Sequence, residues 1–183
     1  MGGLWESQMR PIKSHLLKVI GAQVLTFEQF CTVTSQIESI LNSRPLCKLT
    51  SDISEVSALT PAHFLLAEPL RWLPAKDVSM TNVNRLSRYE LLDHLVQSYW
   101  ARWSREYLTT LQARDKWTAN KENLKVGDIV ILIQENLPVL QWPLGIVQDV
   151  SPGRDGITRV ALVKTKSGVF KRPVVKLCLL PSQ

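Results

Sequence analysis

The chain has 183 residues, 45% hydrophobic and 21% charged, enough for one or two domains of roughly 100–150 residues with real cores, which excludes disorder throughout. The formal charge of +6 and pI near 9.4 favour polyanionic partners, and the excess is uneven: residues 1–120 carry 13 Lys/Arg against 11 Asp/Glu (net +2), residues 121–183 carry 9 against 5 (net +4). Cys31, Cys47 and Cys178 are odd in number and far apart, which excludes a disulfide framework or a CxxC zinc site, and His15, His63 and His94 form no ligand pair. No apolar run reaches the roughly 18 residues of a membrane helix and no signal peptide is seen, so the expectation is an intracellular protein, nuclear or cytoplasmic, with two of its thiols in the core.

From Gly3 to Ile20 apolar residues recur at three- and four-residue steps (Leu4, Trp5, Met9, Ile12, Leu16, Ile20), which predicts a helix. Pro11 in its middle removes a backbone donor and crowds the Ser7 carbonyl, so the helix is expected to kink or to begin near Pro11. Thr26 and Gln29 form a capping box and Leu25 and Phe30 a hydrophobic staple for a second helix, with Phe30, Val33, Ile37, Ile40 and Leu41 on its apolar face and an end near Asn42–Ser43, before Pro45. Thr60-Pro61 predicts a short helix over His63–Ala67, ended by Pro69, and Pro69 to Asn82 reads as an extended connector.

Ser87 with Glu90, and Leu86 with Leu91, predict the start of a long helix. Neither Gly nor Pro interrupts residues 85–117, a span of about 45 Å if wholly helical. Its apolar positions run to Trp100, Trp103, Tyr107, Leu108 and Leu111, and its charges include Arg102, Arg105, Arg114 and Lys116. Four Val/Ile-rich strands follow (Gly127–Ile133, Leu144–Val150, Ile157–Thr165, Val169–Arg172), separated by Pro138, Pro152-Gly153, Asp155-Gly156 and Ser167-Gly168 turns. Four or five short strands in about 55 residues indicate a small barrel or half-open sheet. The fold class is therefore α+β: residues 1–70 helical, 71–83 a connector, 84–117 a long helix and 118–183 a small β-barrel.

Glu6 is a lone carboxylate near a helix start, ordinarily a solvated residue in a favourable dipole position. Arg10 and Lys13 fall within about 40° of it at helical spacing, so one face could offer a metal-binding carboxylate and two phosphate-binding cations. Charges at that spacing also make ordinary i,i+4 pairs. In the C-terminal segment Arg154, Arg159, Lys164, Lys166, Lys171, Arg172 and Lys176 cluster in strands and turns, with Lys164 and Lys166 expected on one strand face. They fit phosphate contact, and equally the lysines that protect sheet edges from pairing. Trp142 is read as a core plug rather than an exposed platform, and Trp100, Trp103 and Tyr107 as packing residues.

The runs Gly2-Gly3-Leu4-Trp5-Glu6, Leu41-Asn42-Ser43-Arg44-Pro45-Leu46, Leu59-Thr60-Pro61-Ala62-His63-Phe64, Tyr99-Trp100-Ala101-Arg102-Trp103, Gln141-Trp142-Pro143-Leu144-Gly145 and Lys171-Arg172-Pro173-Val174-Val175-Lys176 resemble the integrase of Pao/BEL-type retrotransposons. The resemblance implies the end of an RNase H-like core at residues 1–70 and an appended SH3-like β-barrel that binds DNA or chromatin. It makes Glu6 the third of three acidic metal ligands and gives Arg10 and Lys13 a DNA-contacting role. The parent family is a polynucleotidyl transferase that uses Mg2+, and two-metal phosphoryl transfer needs several carboxylates. With two of the three expected upstream of the motif, the chain alone is expected to bind DNA phosphates, without a cofactor and without catalysis. Two alternatives stand beside this: strand transfer in a complex that supplies the missing carboxylates, and a chromatin- or protein-interaction module that self-associates through the long helix.

Overall fold

A computed structural model describes residues 3–49, 56–70, 75–112, 123–135 and 137–181, with the side chains of 3–8 outside the description. Helix α1 (Gly3–Ile20) runs unbroken through Pro11 and does not begin there. A proline forfeits one backbone bond, while Leu16 and Val19 pack against the helical core. Helix α2 (Phe27–Asn42) has the expected capping box, the Thr26 N–H donating to Gln29 Oε1 (3.0 Å) and the Gln29 N–H to Thr26 Oγ1 (3.3 Å). Val33, Ile37 and Ile40 are buried, but Phe30 is 41% exposed rather than on the packed face. Its neighbour Gln29 meets Arg88, the first residue of the long helix, so Phe30 stands at the margin where that helix has only begun.

After the two-residue ladder of β1 (Cys47–Lys48) and β2 (Ala58–Leu59), helix α3 (Pro61–Leu66) starts on the Thr60-Pro61 signal, two residues ahead of the expected His63. The connector is tied down at Val78: its N–H donates to Gln97 Oε1 (2.9 Å), and its carbonyl lies 2.9 Å from His94 Nδ1. A 3-10 turn (Val83–Arg85) leads into α4 (Arg88–Leu111), capped by Ser87 and Glu90 as the sequence predicts. The Glu90 carboxyl is held down at about 2 by the Ser87 backbone N–H and by Lys76. At 24 residues α4 is about 36 Å long, shorter than expected. Gln112 leaves helical geometry, and its side-chain amide donates to the carbonyls of Val175, just before the last strand of the sheet, and Leu177, within it; residues 113–117 lie outside the described residues. Among the described residues no helix is long and apolar enough to cross a membrane.

Strands β3 (Ile129–Leu132), β4 (Leu144–Pro152), β5 (Thr158–Thr165), β6 (Gly168–Pro173) and β7 (Leu177–Leu179) form an antiparallel sheet of order β6-β5-β4-β3-β7. A 3-10 turn (Val174–Lys176) joins the last two strands, and the five-stranded antiparallel sheet is consistent with the expected small barrel. Register shifts at Val147/Asp149 and Ser151/Pro152 let the long β4 bend. At Gly145 a Cβ would collide with the Val163 side chain and lie 3.0 Å from the Lys164 carbonyl oxygen, so glycine keeps β4 and β5 in contact.

One side of the sheet closes over Leu124, Val130, Leu132, Val147, Ala161, Val163 and Leu177. On the other, Ile129, Ile131 and Cys178 meet Leu108 of α4 and Ala58. Strand β3 is buried on both faces, which explains its unbroken apolar run. Of the thiols, Cys178 is buried, Cys47 half-buried and Cys31 exposed.

Helices and sheet share a second junction in the β3–β4 loop. The Pro138–Gln141 turn closes with a 3.1 Å bond and places Leu140 at φ 63°, left-handed geometry that costs a non-glycine residue about 1–2 kcal/mol. In return Val139, Leu140 and Trp142 pack into the core formed by α1, α2 and α4. Trp142 is thus a core residue, but it fills the space between helices and barrel instead of the barrel interior. Its ring meets Trp100, Trp103 and Tyr107 edge-on at centroid distances of 4.8, 6.2 and 5.8 Å. Trp100 and Trp103 are buried as expected. The Tyr107 hydroxyl donates to the Pro45 carbonyl, and burial pushes its pKa up to about 12.

Candidate nucleic-acid interface

The hairpin β5–β6 sorts the basic residues by strand register. Phe170 lies opposite Val163 and Arg172 opposite Ala161, so both point to the side on which Val163 and Ala161 are buried. Leu162 opposite Lys171 and Lys164 opposite Val169 occupy the other side. Lys164 and Lys171 are therefore diagonal neighbours on one face, about 7–8 Å apart at the backbone. Lys166 does not continue that face: β5 ends at Thr165 and the chain reverses over 166–167, so the period of two stops before it. Gly168, at φ 136°, completes this reversal. All three lysines are exposed and make no ion pair among the described residues.

The other basic residues are placed differently. The half-buried Arg172 lays its guanidinium over the Phe170 ring, 5.4 Å from the centroid. Arg159 is held in a fork by Asp155 (Nη1–Oδ1 3.0 Å, Nη2–Oδ2 2.6 Å). Arg154 is exposed in the β4–β5 loop and Lys176 in the 3-10 turn before β7. Arg10 and Lys13 are exposed on α1, remote from the hairpin in sequence, and the Glu6 side chain lies outside the described residues.

The Arg159–Asp155 fork pins the β4–β5 loop, helped by Asn123, which donates to the Gly156 carbonyl and accepts from the Thr158 N–H. The Arg159 hydrogen bonds hold the Asp155 carboxyl well below its ordinary 3.8, at about 2. A depressed carboxyl stabilises the fold above its unfolded value and ceases to do so as pH falls through the folded one. Acidification from pH 4 to pH 2 is expected to release the loop. Amide shifts of Gly153, Gly156 and Ile157 report this, and titration of those shifts at pH 4 or above would refute it.

Among the described residues no three His, Cys, Asp or Glu side chains converge as metal ligands. Two shallow grooves, of about 390 and 260 Å3, lie at the α1–α2 turn beside Phe27 and Phe30 and on the sheet beside Ile146 and Lys164. Their linings are mainly apolar and hold no acid–base pair.

The molecule is thus a helical layer fused to a small barrel with a cationic hairpin. Residues 87–180 match a family of unknown function, DUF5641, and the chain belongs to that family. The match begins at the capping Ser87 of α4 and ends at Leu180, whose N–H bonds Ile129 beside β7. Neither a curated protein nor a solved structure matches the chain.

Proposed function

We propose that the chain binds DNA, mainly through phosphates, and that it descends from the C-terminal part of a Pao/BEL-type retrotransposon integrase whose original task was DNA integration. The observation that carries the proposal is the trio Lys164, Lys166 and Lys171, exposed at one end of the barrel without carboxylate partners among the described residues. Flexible ammonium groups suit phosphate oxygens and read no base edges. A basic histone tail is a poor occupant for the same surface, because like charges repel.

The chain by itself is proposed as a binding protein and not a nuclease or transferase. By resemblance Glu6 supplies one of the three carboxylates that the Mg2+ chemistry of the parent family needs. No catalytic step is assigned to it.

Binding that replaces phosphate counterions weakens with salt, the logarithm of affinity falling by about 0.9 for each tenfold rise in salt per phosphate contacted. Fluorescence anisotropy on duplex DNA is expected to show a steep loss of affinity between about 50 and 200 mM salt. Affinity that stays constant over that range would overturn the proposal.

A further inference from the structure

We infer that the seam between α1 and α4 is a second phosphate-binding groove, formed by Lys18, Arg102 and Arg105; the inference rests on the nucleic-acid reading above. The helices run antiparallel. Arg88 at the start of α4 reaches the Val24 carbonyl just past α1 (2.6 Å), whereas His15, in the middle of α1, meets Tyr99 and Glu106 farther along α4. His15 is only 3% exposed and marks the line along which the two helices touch.

Rotation about each axis places the side chains relative to that line, at about 100° per residue. On α4, Trp103 and Tyr107 turn from Tyr99 toward Trp142 and the end of α2. Arg102 and Arg105 turn the opposite way, by about 60° and 120°. On α1, Leu16 and Val19 turn from His15 into the core shared with α2, and Ser14 and Lys18 turn the opposite way, by about 100° and 60°. In an antiparallel pair these two free flanks face the same side. Lys18 lies one turn past His15 and Arg102 one turn before Glu106, which brings the two cations to one level. Lys18, Arg102 and Arg105 are all exposed.

The charge of the seam depends on Glu106. A carboxylate four residues after an arginine commonly pairs with it on a helix surface. Here Glu106 Oε2 lies 2.6 Å from His15 Nε2, and no ion pair joins it to Arg102. The buried histidine thus draws away the carboxylate that would neutralise Arg102. Lys18, Arg102 and Arg105 have no ion pair among the described residues, while the half-buried Ser14 and Ser98 flank the groove with hydroxyl donors. Three unpaired cations in line suit the phosphate backbone of nucleic acid, with Arg102 and Arg105 able to fork onto phosphate oxygens.

The test uses the whole chain and a fluorescent DNA duplex. The double variant Arg102→Ala/Arg105→Ala is expected to bind about tenfold or more weakly and to lose about two units of salt slope. Arg85→Ala, exposed on the 3-10 turn before α4, should leave both quantities unchanged. Glu106→Gln keeps an acceptor for His15 but removes the negative charge, and should tighten binding. Both arginines are exposed, so an unchanged thermal midpoint separates these effects from unfolding. Salt-dependent binding by the unaltered chain that the double variant retains in full would overturn the groove and leave the nucleic-acid reading standing. No salt-dependent binding by the unaltered chain would overturn both. Unchanged DNA affinity together with abolished binding to polyglutamate would assign the groove to an acidic protein and overturn the inference.

Discussion

Replacing Trp142 by alanine is expected to lower the unfolding free energy by about 3 kcal/mol or more, the cost of deleting a large packed aromatic. The indole belongs to the β3–β4 loop, yet it packs against Trp100, Trp103 and Tyr107 of α4 and, through Nε1, bonds Ser43 Oγ after α2 (3.3 Å). Its removal also takes away the reward for holding Leu140 in left-handed geometry. Trp142→Phe keeps a ring and gives up the bond to Ser43, a loss of about 1 kcal/mol beyond the smaller ring area. Urea denaturation followed by circular dichroism measures both variants. A Trp142→Ala variant within about 1 kcal/mol of the parent would show that α4 and the sheet are held together elsewhere, through Leu108, Ile131 and Cys178.

That junction joins residues 35 or more positions apart in the chain, and it marks the limit of what periodicity reveals. Local signals fared well: the Thr26–Gln29 and Ser87–Glu90 boxes, the end of α2 before Pro45 and the strand-turn alternation after Gly127 all depend on neighbours within four residues. Where a distant partner decides, the outcome shifted. Gln112 leaves the helix to meet the sheet, Phe30 faces outward at the margin of α4, and Trp142 packs on the helices and not within the barrel. Charge behaved likewise. The sequence marks the basic cluster, but only strand register separates Lys164 and Lys171 from Arg172, and only the folded loop joins Arg159 to Asp155. For Arg102 and Arg105 the one available signal was their position on α4, and it could not tell that Glu106 turns toward a histidine 91 residues away.

The same sorting predicts which cations set the salt dependence of binding. Changing Lys164, Lys166 and Lys171 together to glutamine should remove nearly three units of slope, at about 0.9 for each phosphate left without its lysine. Affinity should fall across all duplex sequences alike, since phosphate contacts carry no base information. Arg159→Gln offers the contrast. Its guanidinium is already occupied by Asp155, so the variant should loosen the β4–β5 loop and leave the slope nearly unchanged. Arg172→Gln should act chiefly on stability, by about 0.5–1 kcal/mol, because no cation then lies over the Phe170 ring. Anisotropy titrations at four or more salt concentrations distinguish these cases. If Arg159→Gln lowers the slope as much as the lysine variant does per charge removed, the basic residues act as a diffuse field, and the outer face of the β5–β6 hairpin has no special part in binding.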